Sequence, residues 1–331
     1  MKAAFIERVG PPENLQWADF PDPKPTGRQV VVQVAAVSVN PIDTYIRAGA
    51  ISMNIPLPYI VGCDLAGTVK EVGPEAKRFK VGDRVWGSNQ GLFGRQGTFA
   101  EAAAVDEDWL YPLADDASFE SAAAGALVGI TAYLGLFRDA KLGPADIVFV
   151  TGGTGGVGST VIQFAKAAGA KVFTSARDAK GAQACRELGA DGVVTYAKED
   201  LVQRVKDFAP GGVNVWWETR REPDFMASIP LLAPRGRFVL MAGRDAKPEF
   251  PVGSFYTRDC KLFGFAMFNA TPDEQRACSN DINTWLADGR YRPRVDRVMP
   301  LSESAKAHQL QEDNTLRRAG TLSGKIVLTP G

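Results

Sequence analysis

Three glycines in the stretch Val148-Phe149-Val150-Thr151-Gly152-Gly153-Thr154-Gly155-Gly156-Val157-Gly158-Ser159 stand at the spacing G-x-G-x-x-G: Gly153, Gly155 and Gly158. The first permits a tight turn, the second lets the backbone approach a pyrophosphate, and the third lets helix and strand pack closely. Amides at the head of the helix, and the positive end of its dipole, then face an anion. Thr154, Gly156 and Val157 complete this candidate phosphate cradle. In a chain with 34 glycines the spacing alone is a weak signal. Its surroundings decide the matter. Ile147 to Val150 is a β-branched and aromatic run, and Val157 to Ala168 is an apolar-periodic segment that Gly169 closes. A second strand, Lys171 to Thr174, follows at once. A glycine-rich connection without a ligand would not need that context, so the stretch reads as a dinucleotide site.

The end of the second strand discriminates between nicotinamide cofactors. An NAD site places Asp or Glu about 20 residues beyond the glycines, against the ribose 2′-hydroxyl. Here the strand runs Phe173-Thr174-Ser175-Ala176-Arg177, with Lys180 close behind, and Asp178 reads as the N-cap of the next helix. A 2′-phosphate suits Ser175, Arg177 and Lys180, because guanidinium binds phosphate as a fork and ammonium as a point charge. The alternative is a solvated basic turn. The reading is NADPH.

The elements that must position these groups fall into two textures. Up to about Leu113 the chain is rich in strands and turns: Val30 to Val39, Thr68 to Gly73, Asp83 to Trp86 and Gly97 to Val105. This block reads as a partly open, barrel-like β domain. From Phe119 to Leu136 runs an Ala/Gly-rich helix. Strands at Lys171–Thr174, Val193–Thr195, Val213–Trp217, Arg237–Met241 and Lys261–Phe265 then alternate with helices such as Ala182–Leu188 and Leu201–Phe208. That rhythm predicts an α/β, doubly wound parallel (Rossmann) sheet. After about Phe268 the rhythm stops. The tail, with a helix from Pro272 to Asp288, a strand Val295–Met299, a helix after Ser302 and a strand Lys325–Leu328, is expected to fold back on the first domain. The predicted division is residues 1–122 with 269–331 for the β-rich domain and 123–268 for the nucleotide domain.

Bulk properties narrow the class. A chain of 331 residues suits about two domains and a large core. Its 38 basic and 38 acidic residues balance, with pI near 6.6, which argues against a nucleic-acid or anionic membrane partner. Cys63, Cys185, Cys260 and Cys278 form no C-x-x-C pair and fit a reducing compartment. The N-terminus has no cleavage-type apolar region, and no stretch reads as the ~20 apolar residues of a membrane span. These features predict a soluble cytoplasmic protein. His308, the single histidine, lies in a polar tail helix and is expected at the surface.

The chain resembles the medium-chain dehydrogenase/reductase family, and within it the zinc-free quinone oxidoreductase group that includes ζ-crystallin. The likeness runs from Ser38-Val39-Asn40-Pro41-Ile42-Asp43-Thr44-Tyr45-Ile46-Arg47-Ala48-Gly49 through Pro58-Tyr59-Ile60-Val61-Gly62-Cys63-Asp64-Leu65-Ala66-Gly67 and Val81-Gly82-Asp83-Arg84-Val85. It continues through Gly155 to Gly158, Gln163-Phe164-Ala165-Lys166 and Glu187-Leu188-Gly189-Ala190-Asp191, and ends at Ser323-Gly324-Lys325-Ile326-Val327-Leu328. The resemblance implies a GroES-like first domain. Two departures stand out: Val215-Trp216-Trp217-Glu218-Thr219-Arg220-Arg221 replaces an aliphatic strand ending in Asp, and Gly153-Thr154 stands where alanines are frequent.

Zinc-dependent relatives ligate their metal with a Cys, the His of a Gly-His-Glu run, and a further Cys. The matching places here hold Asn40 and Gly62-Cys63-Asp64, and one thiol beside an acid does not make a tetrahedral zinc site. No metal is expected. Without metal or histidine a site cannot strongly polarise an alcohol, so the expected acceptor is a quinone or α,β-unsaturated carbonyl, reached by hydride through proximity and hydrogen-bond donors.

By resemblance, Asn40, Tyr45 and Tyr59 face the nicotinamide, with either tyrosine as donor to the developing oxyanion. A buried tyrosine with a satisfied hydroxyl is the equal alternative. Thr131 is implied beside the nicotinamide, with a helix hydroxyl bonded to the preceding turn as its alternative; Thr219, Met241, Ala242 and Gly243 end strands of the sheet, where the crevice must lie; Phe265 and Met267 roof the nicotinamide or, equally, belong to the core. Tyr196 is implied near the adenosine phosphate, or is a plain strand-end tyrosine, and Lys325 reaches a cofactor phosphate or caps the final strand. Competing readings are a 2-enoyl-thioester reductase and a non-catalytic, crystallin-like NADPH-binding protein. Lys261-Leu262-Phe263-Gly264-Phe265-Ala266-Met267-Phe268 is an apolar edge strand, and the family pairs such edges, which implies a homodimer or a tetramer built from it.

Overall fold

Glycine and proline cut the first third of the chain into short β-branched runs, and each run becomes a strand. The computed structural model describes residues 1–317 and 319–331. In chain order the strands are β1 (Lys2–Ile6), β2 (Gln16–Asp19), β3 (Gln29–Ser38), β4 (Tyr59–Ile60), β5 (Leu65–Val72), β6 (Arg84–Gly87), β7 (Ala102–Asp106) and β8 (Leu110–Pro112). A short helix, α1 (Pro41–Arg47), follows β3 because Pro41 pre-sets its first turn and the Asp43 carboxylate accepts from the Asn40 amide at 2.7 Å. The strand expected from Gly97 begins only at Ala102. The residues before it bond instead to the 60–62 segment and to Ala4, with Gly97 so close to Val61 that a Cβ would lie 2.4 Å from its backbone.

Helix α2 (Phe119–Tyr133) is drawn from an Ala/Gly-rich run and ends in a π-helical turn, Leu134–Asp139. The turn widens where Gly135 meets the Trp217 ring; a Cβ there would sit 2.4 Å from the indole. By length and composition Phe119–Asp139, 21 residues of hydropathy 1.4, could cross a membrane, which corrects the sequence expectation. Its apolarity has another cause: 78% of its most apolar window is buried inside the protein, as in a core helix.

The alternating part of the chain supplies β9 (Ile147–Val150), α3 (Gly156–Ala167), β10 (Lys171–Ala176), α4 (Ala179–Glu187), β11 (Gly192–Thr195), α5 (Leu201–Phe208), β12 (Val213–Glu218), α6 (Phe225–Ser228), β13 (Leu232–Leu240), α7 (Val252–Tyr256) and β14 (Lys261–Gly264). The strands form one parallel sheet in the order β11-β10-β9-β12-β13-β14. The chain steps outward from β9 to β11, then returns to the far side of β9. This is the doubly wound arrangement, with its switch point between β9 and β12. The central strands are buried on both faces, so they read as continuous apolar runs. On one face Trp216 packs on Phe149 with ring centroids 4.3 Å apart, and Phe173, Phe225 and Phe238 extend the cluster.

The tail supplies α8 (Pro272–Ala287), β15 (Val295–Pro300), α9 (Ser304–Thr315) and β16 (Lys325–Thr329). It rejoins the first body, where β16 pairs antiparallel with β3 and β15 lies beside β16. The resulting sheet runs β15-β16-β3-β5-β6-β8, with β7 also on β3; a smaller sheet runs β2-β1-β4. Two units result: Met1–Leu127 with Thr271–Asp288 and Arg292–Gly331, and Val128–Ala270 with Gly289–Tyr291. The fold is thus a doubly wound parallel sheet and a separate β-rich body. All four cysteines are buried, and none is in a disulfide.

Candidate active site

In the nucleotide unit, β9 ends at Val150 and the chain turns through Thr151 to Gly155 before α3 begins. Gly152 takes φ +66°, the left-handed region that glycine reaches without strain. Its amide donates to Ser175 Oγ at 3.0 Å, and that of Gly153 to the Ser175 carbonyl at 3.0 Å. A Cβ on Gly153 would lie 2.3 Å from Thr174 Oγ1, and one on Gly158 2.3 Å from the Gly152 carbonyl. A Cβ on Gly155 would meet nothing nearer than 3.5 Å. Two motif glycines therefore pack inward and the middle one faces open space. The amides of Gly156 and Val157 open α3 without a carbonyl four residues back inside the helix. This cradle fits a pyrophosphate.

Beside it, Arg177 and Tyr196 are exposed just past the ends of β10 and β11, and Lys180 in the first turn of α4. Asp178 caps α4 by accepting from the Gly181 amide at 2.9 Å, and that hydrogen bond first, then its basic neighbours, lowers its pKa. Ser175 departs from expectation. It is 4% exposed and its oxygen lies under the turn, holding Gly152, so it does not present itself to a 2′-phosphate.

On the other side of β9 the carboxyl ends of β9 and β12 are laced together. The Thr219 amide donates to Thr151 Oγ at 2.7 Å, and Thr219 Oγ to the Thr151 carbonyl at 2.7 Å. Thr151 Oγ reaches Glu218 at 2.8 Å. Glu218, fully buried, also accepts from Trp216 Nε1 at 3.3 Å and from Arg220. Sequence reasoning flagged this stretch as a departure without giving Glu218, Thr151 or Arg220 a task. Met241, Ala242 and Gly243 follow β13, half-buried. Thr131 is buried on α2. Phe265 is half-buried, its ring edge-on to Trp217 at 6.4 Å with the Arg138 guanidinium 5.5 Å above it. Met267 is 3% exposed, as the core alternative expects.

In the β-rich body a polar network is buried where β3, α1 and β16 meet. Asp64 accepts from Ser38 Oγ at 2.8 Å, Ser88 Oγ at 2.6 Å and Asn40 Nδ2 at 2.7 Å. The Lys325 ammonium donates to the Val39 carbonyl at 2.8 Å and to Asn40 Oδ1. Burial, before any charge effect, pushes Lys325 down and Asp64 up, and it lifts the Cys63 thiol well above its ordinary value. Asp43, whose second carboxylate oxygen has no hydrogen-bond partner, is raised to about 7 by the same cause.

Several expectations are corrected here. Lys325 is taken into this network, because β16 docks on β3 and buries its ammonium. Asn40 is 1% exposed and spends its amide on Asp64 and Lys325. Tyr59 is 1% exposed and its hydroxyl donates to the Gly91 carbonyl at 2.8 Å, so its proton is already committed. Of the three expected catalytic side chains only Tyr45 is half-exposed, on α1. His308 is not at the surface. It is fully buried, edge-on to Phe99 at 5.8 Å, and burial followed by nearby Arg47 lowers it to about 3. Among the described residues no three of His, Cys, Asp and Glu are grouped to hold a metal ion.

Residues 26–115 match the alcohol dehydrogenase GroES-like domain, and residues 156–282 match the zinc-binding dehydrogenase domain. Over 330 residues, 99% of this chain and 97% of the relative, the sequence is 31% identical to the quinone oxidoreductase of Sus scrofa. The crystal structure of Escherichia coli quinone oxidoreductase complexed with NADPH superposes with a TM-score of 0.86 at 28% identity, covering both chains fully. A structure described as an NAD-dependent alcohol dehydrogenase superposes at 0.89 with 29% identity, also over both full chains. With its doubly wound sheet, its GroES-like body and a relative of this identity over nearly its whole length, the chain belongs to the zinc-free quinone oxidoreductase group of the medium-chain dehydrogenases/reductases.

Proposed function

We propose that the protein is an NADPH-dependent reductase that passes hydride to a quinone or α,β-unsaturated carbonyl without a metal. The observation that carries the cofactor choice is the end of β10. Arg177 is exposed there and Lys180 in the first turn of α4, and the nearby acid, Asp178, caps α4 and lies 3.7 Å from Arg177. The Escherichia coli relative whose structure contains NADPH supports the same choice. For the metal, the places that hold ligands in zinc-dependent relatives carry Asn40 and Cys63, and the buried cation beside Asn40 is the Lys325 ammonium.

The cofactor supplies the hydride when bound; the protein binds, orients and excludes water. The amides of Gly156 and Val157 at the head of α3 would hold the pyrophosphate, while Gly155, whose own amide donates to the Gly152 carbonyl at 3.1 Å, leaves room for it. Arg177 and Lys180 meet the 2′-phosphate. Tyr45 is the candidate donor to the oxygen on which charge develops, a task worth about 2.7–4 kcal/mol for a well-placed donor. Steady-state oxidation of NADPH and NADH across quinones, enones, enoyl thioesters and simple alcohols tests the reading. It expects turnover of the first two classes with NADPH, unchanged after dialysis against chelator. Turnover confined to alcohols, or dependent on added zinc, would overturn it.

A further inference from the structure

We infer that Arg220, held by the buried Glu218, recognises an acidic group on the acceptor, so that quinones or enones bearing a carboxylate, sulfonate or phosphate are preferred. The inference rests on the reductase reading above and names its substrate class.

Glu218 is fully buried, while the Arg220 side chain is 41% exposed. Arg220 Nε donates to Oε1 at 2.9 Å and Nη2 to Oε2 at 2.8 Å, and the Arg220 amide adds a third bond to Oε1 at 2.8 Å. Thr151 and Trp216 fix the same carboxylate from the strand side. One edge of the guanidinium is therefore committed. A guanidinium has five N–H donors in a planar fork, and its opposite edge, Nη1 with the outer N–H of Nη2, is a second bidentate face. Such a face suits a planar or tetrahedral anion.

The pair is weak as a stabilising device. Apolar residues of similar volume usually serve a core as well as a buried ion pair does. Its place gives it another use. β12 lies across the switch point from β10, whose end carries the 2′-phosphate candidates. The carboxyl ends of β12 and β13 thus belong to the nicotinamide half, where an acceptor must come for hydride. Thr151, bonded to Glu218, also starts the phosphate turn, so turn and guanidinium are held in one register. Other charges nearby are Arg221, Glu222 and Asp224, all exposed, with Asp224 capping α6. Together with Glu218 and Arg220 they sum to a net −1, so selection of an anion comes from the fork and not from a positive field.

The test compares 1,2-naphthoquinone-4-sulfonate with 1,2-naphthoquinone, reduced by NADPH, in the wild type and in Arg220→Met, Arg220→Lys and Glu218→Gln. Arg220→Met should raise KM for the sulfonate about tenfold or more, the loss of a charge-assisted pair. KM for the parent quinone, kcat and the NADPH dissociation constant should stay within about twofold. Arg220→Lys, charged but unforked, should lose part of the preference. Glu218→Gln should raise the sulfonate KM with kcat held, as a positioning residue does. Equal changes for both quinones, no change for either, or a change confined to NADPH binding would overturn the inference. If the wild type reduces neither quinone the reductase reading fails instead. Calorimetric binding of the sulfonate to NADP+-loaded wild type and Arg220→Lys then still decides: equal affinities overturn the inference and a weaker variant supports it.

Discussion

Lys325 donates from its ammonium to the Asn40 side-chain oxygen and, at 2.8 Å, to the Val39 carbonyl, joining the last strand to the loop that starts α1. Asp64 lies in the same buried network and accepts three hydrogen bonds there. A protein cation thus occupies the polar centre of the β-rich body. Removing it takes away a buried positive charge that acts on Asp64 and leaves the Asn40 oxygen without its donor, and breaking a buried charge pairing costs about 3–5 kcal/mol. Lys325→Met should lose that much stability in urea unfolding at neutral pH. A loss below about 1 kcal/mol would show that Asp64 does not depend on the ammonium.

Two buried groups in this body give opposing pH dependence. Asp43 is raised to about 7, so the native state holds a proton that the unfolded chain releases near its ordinary value of 3.8. Its contribution is fully present below that value and is lost as pH rises toward 7. His308 is lowered from 6.5 to about 3, so between those values the unfolded chain binds the proton and stability rises with pH. Each slope is at most about 1.4 kcal/mol per pH unit. The contributions of Asp43 and His308 should therefore largely offset each other between these limits. Asp43→Asn removes one side of the balance and should make stability climb from pH 4 to 6.5; parallel curves for variant and wild type would refute the pairing.

At the nucleotide turn, Arg177 and Ser175 should behave differently. Arg177→Ala should weaken NADPH by about 1.5–3 kcal/mol and leave NADH alone, because it removes a charge-assisted bond to a group only NADPH has. Ser175→Ala unfastens Gly152 from below and should weaken both cofactors equally. Dissociation constants from nicotinamide fluorescence separate the two. A selective effect of Ser175→Ala would mean that its hydroxyl, not its support of the turn, meets the ligand.

Strand β14 pairs with β13 and, among the described residues, with no other strand, leaving Leu262 40% exposed. An apolar edge of this kind favours pairing with its own copy. Sedimentation at micromolar concentration should give twice the 35.6 kDa chain mass. Leu262→Lys should shift the population toward monomer without lowering the melting temperature of the isolated chain. A single species at chain mass in the wild type would end the proposal.

The parallel sheet and the glycine turn are legible in the sequence because their signals are local: a β-branched run, a turn only glycine can make, and an apolar-periodic helix. The residues misjudged are those whose surroundings are assembled from distant parts of the chain. His308 lies in a helix of polar residues, and nothing near it announces that α9 docks on α1, tied by the Arg47–Glu312 ion pair. Lys325 reads as a basic strand end until β16 settles against β3. Tyr59 offers a phenol that only the loop at Gly91 reveals as already bonded. Glu218 and Arg220 were visible as an anomaly of residue type, but not as a pair, because two residues apart on a strand they would ordinarily share a face without this curl of the backbone onto the side chain.

The burial of every thiol has a chemical consequence under the proposed reading. Quinones and enones are electrophiles, and a cysteine thiolate is the side chain they most readily alkylate. Cys63, Cys185 and Cys278 have no exposed surface and Cys260 only 8%, and burial raises the pKa of Cys63 and Cys260, keeping those thiols protonated. An enzyme built this way offers a reactive acceptor no exposed thiolate to alkylate.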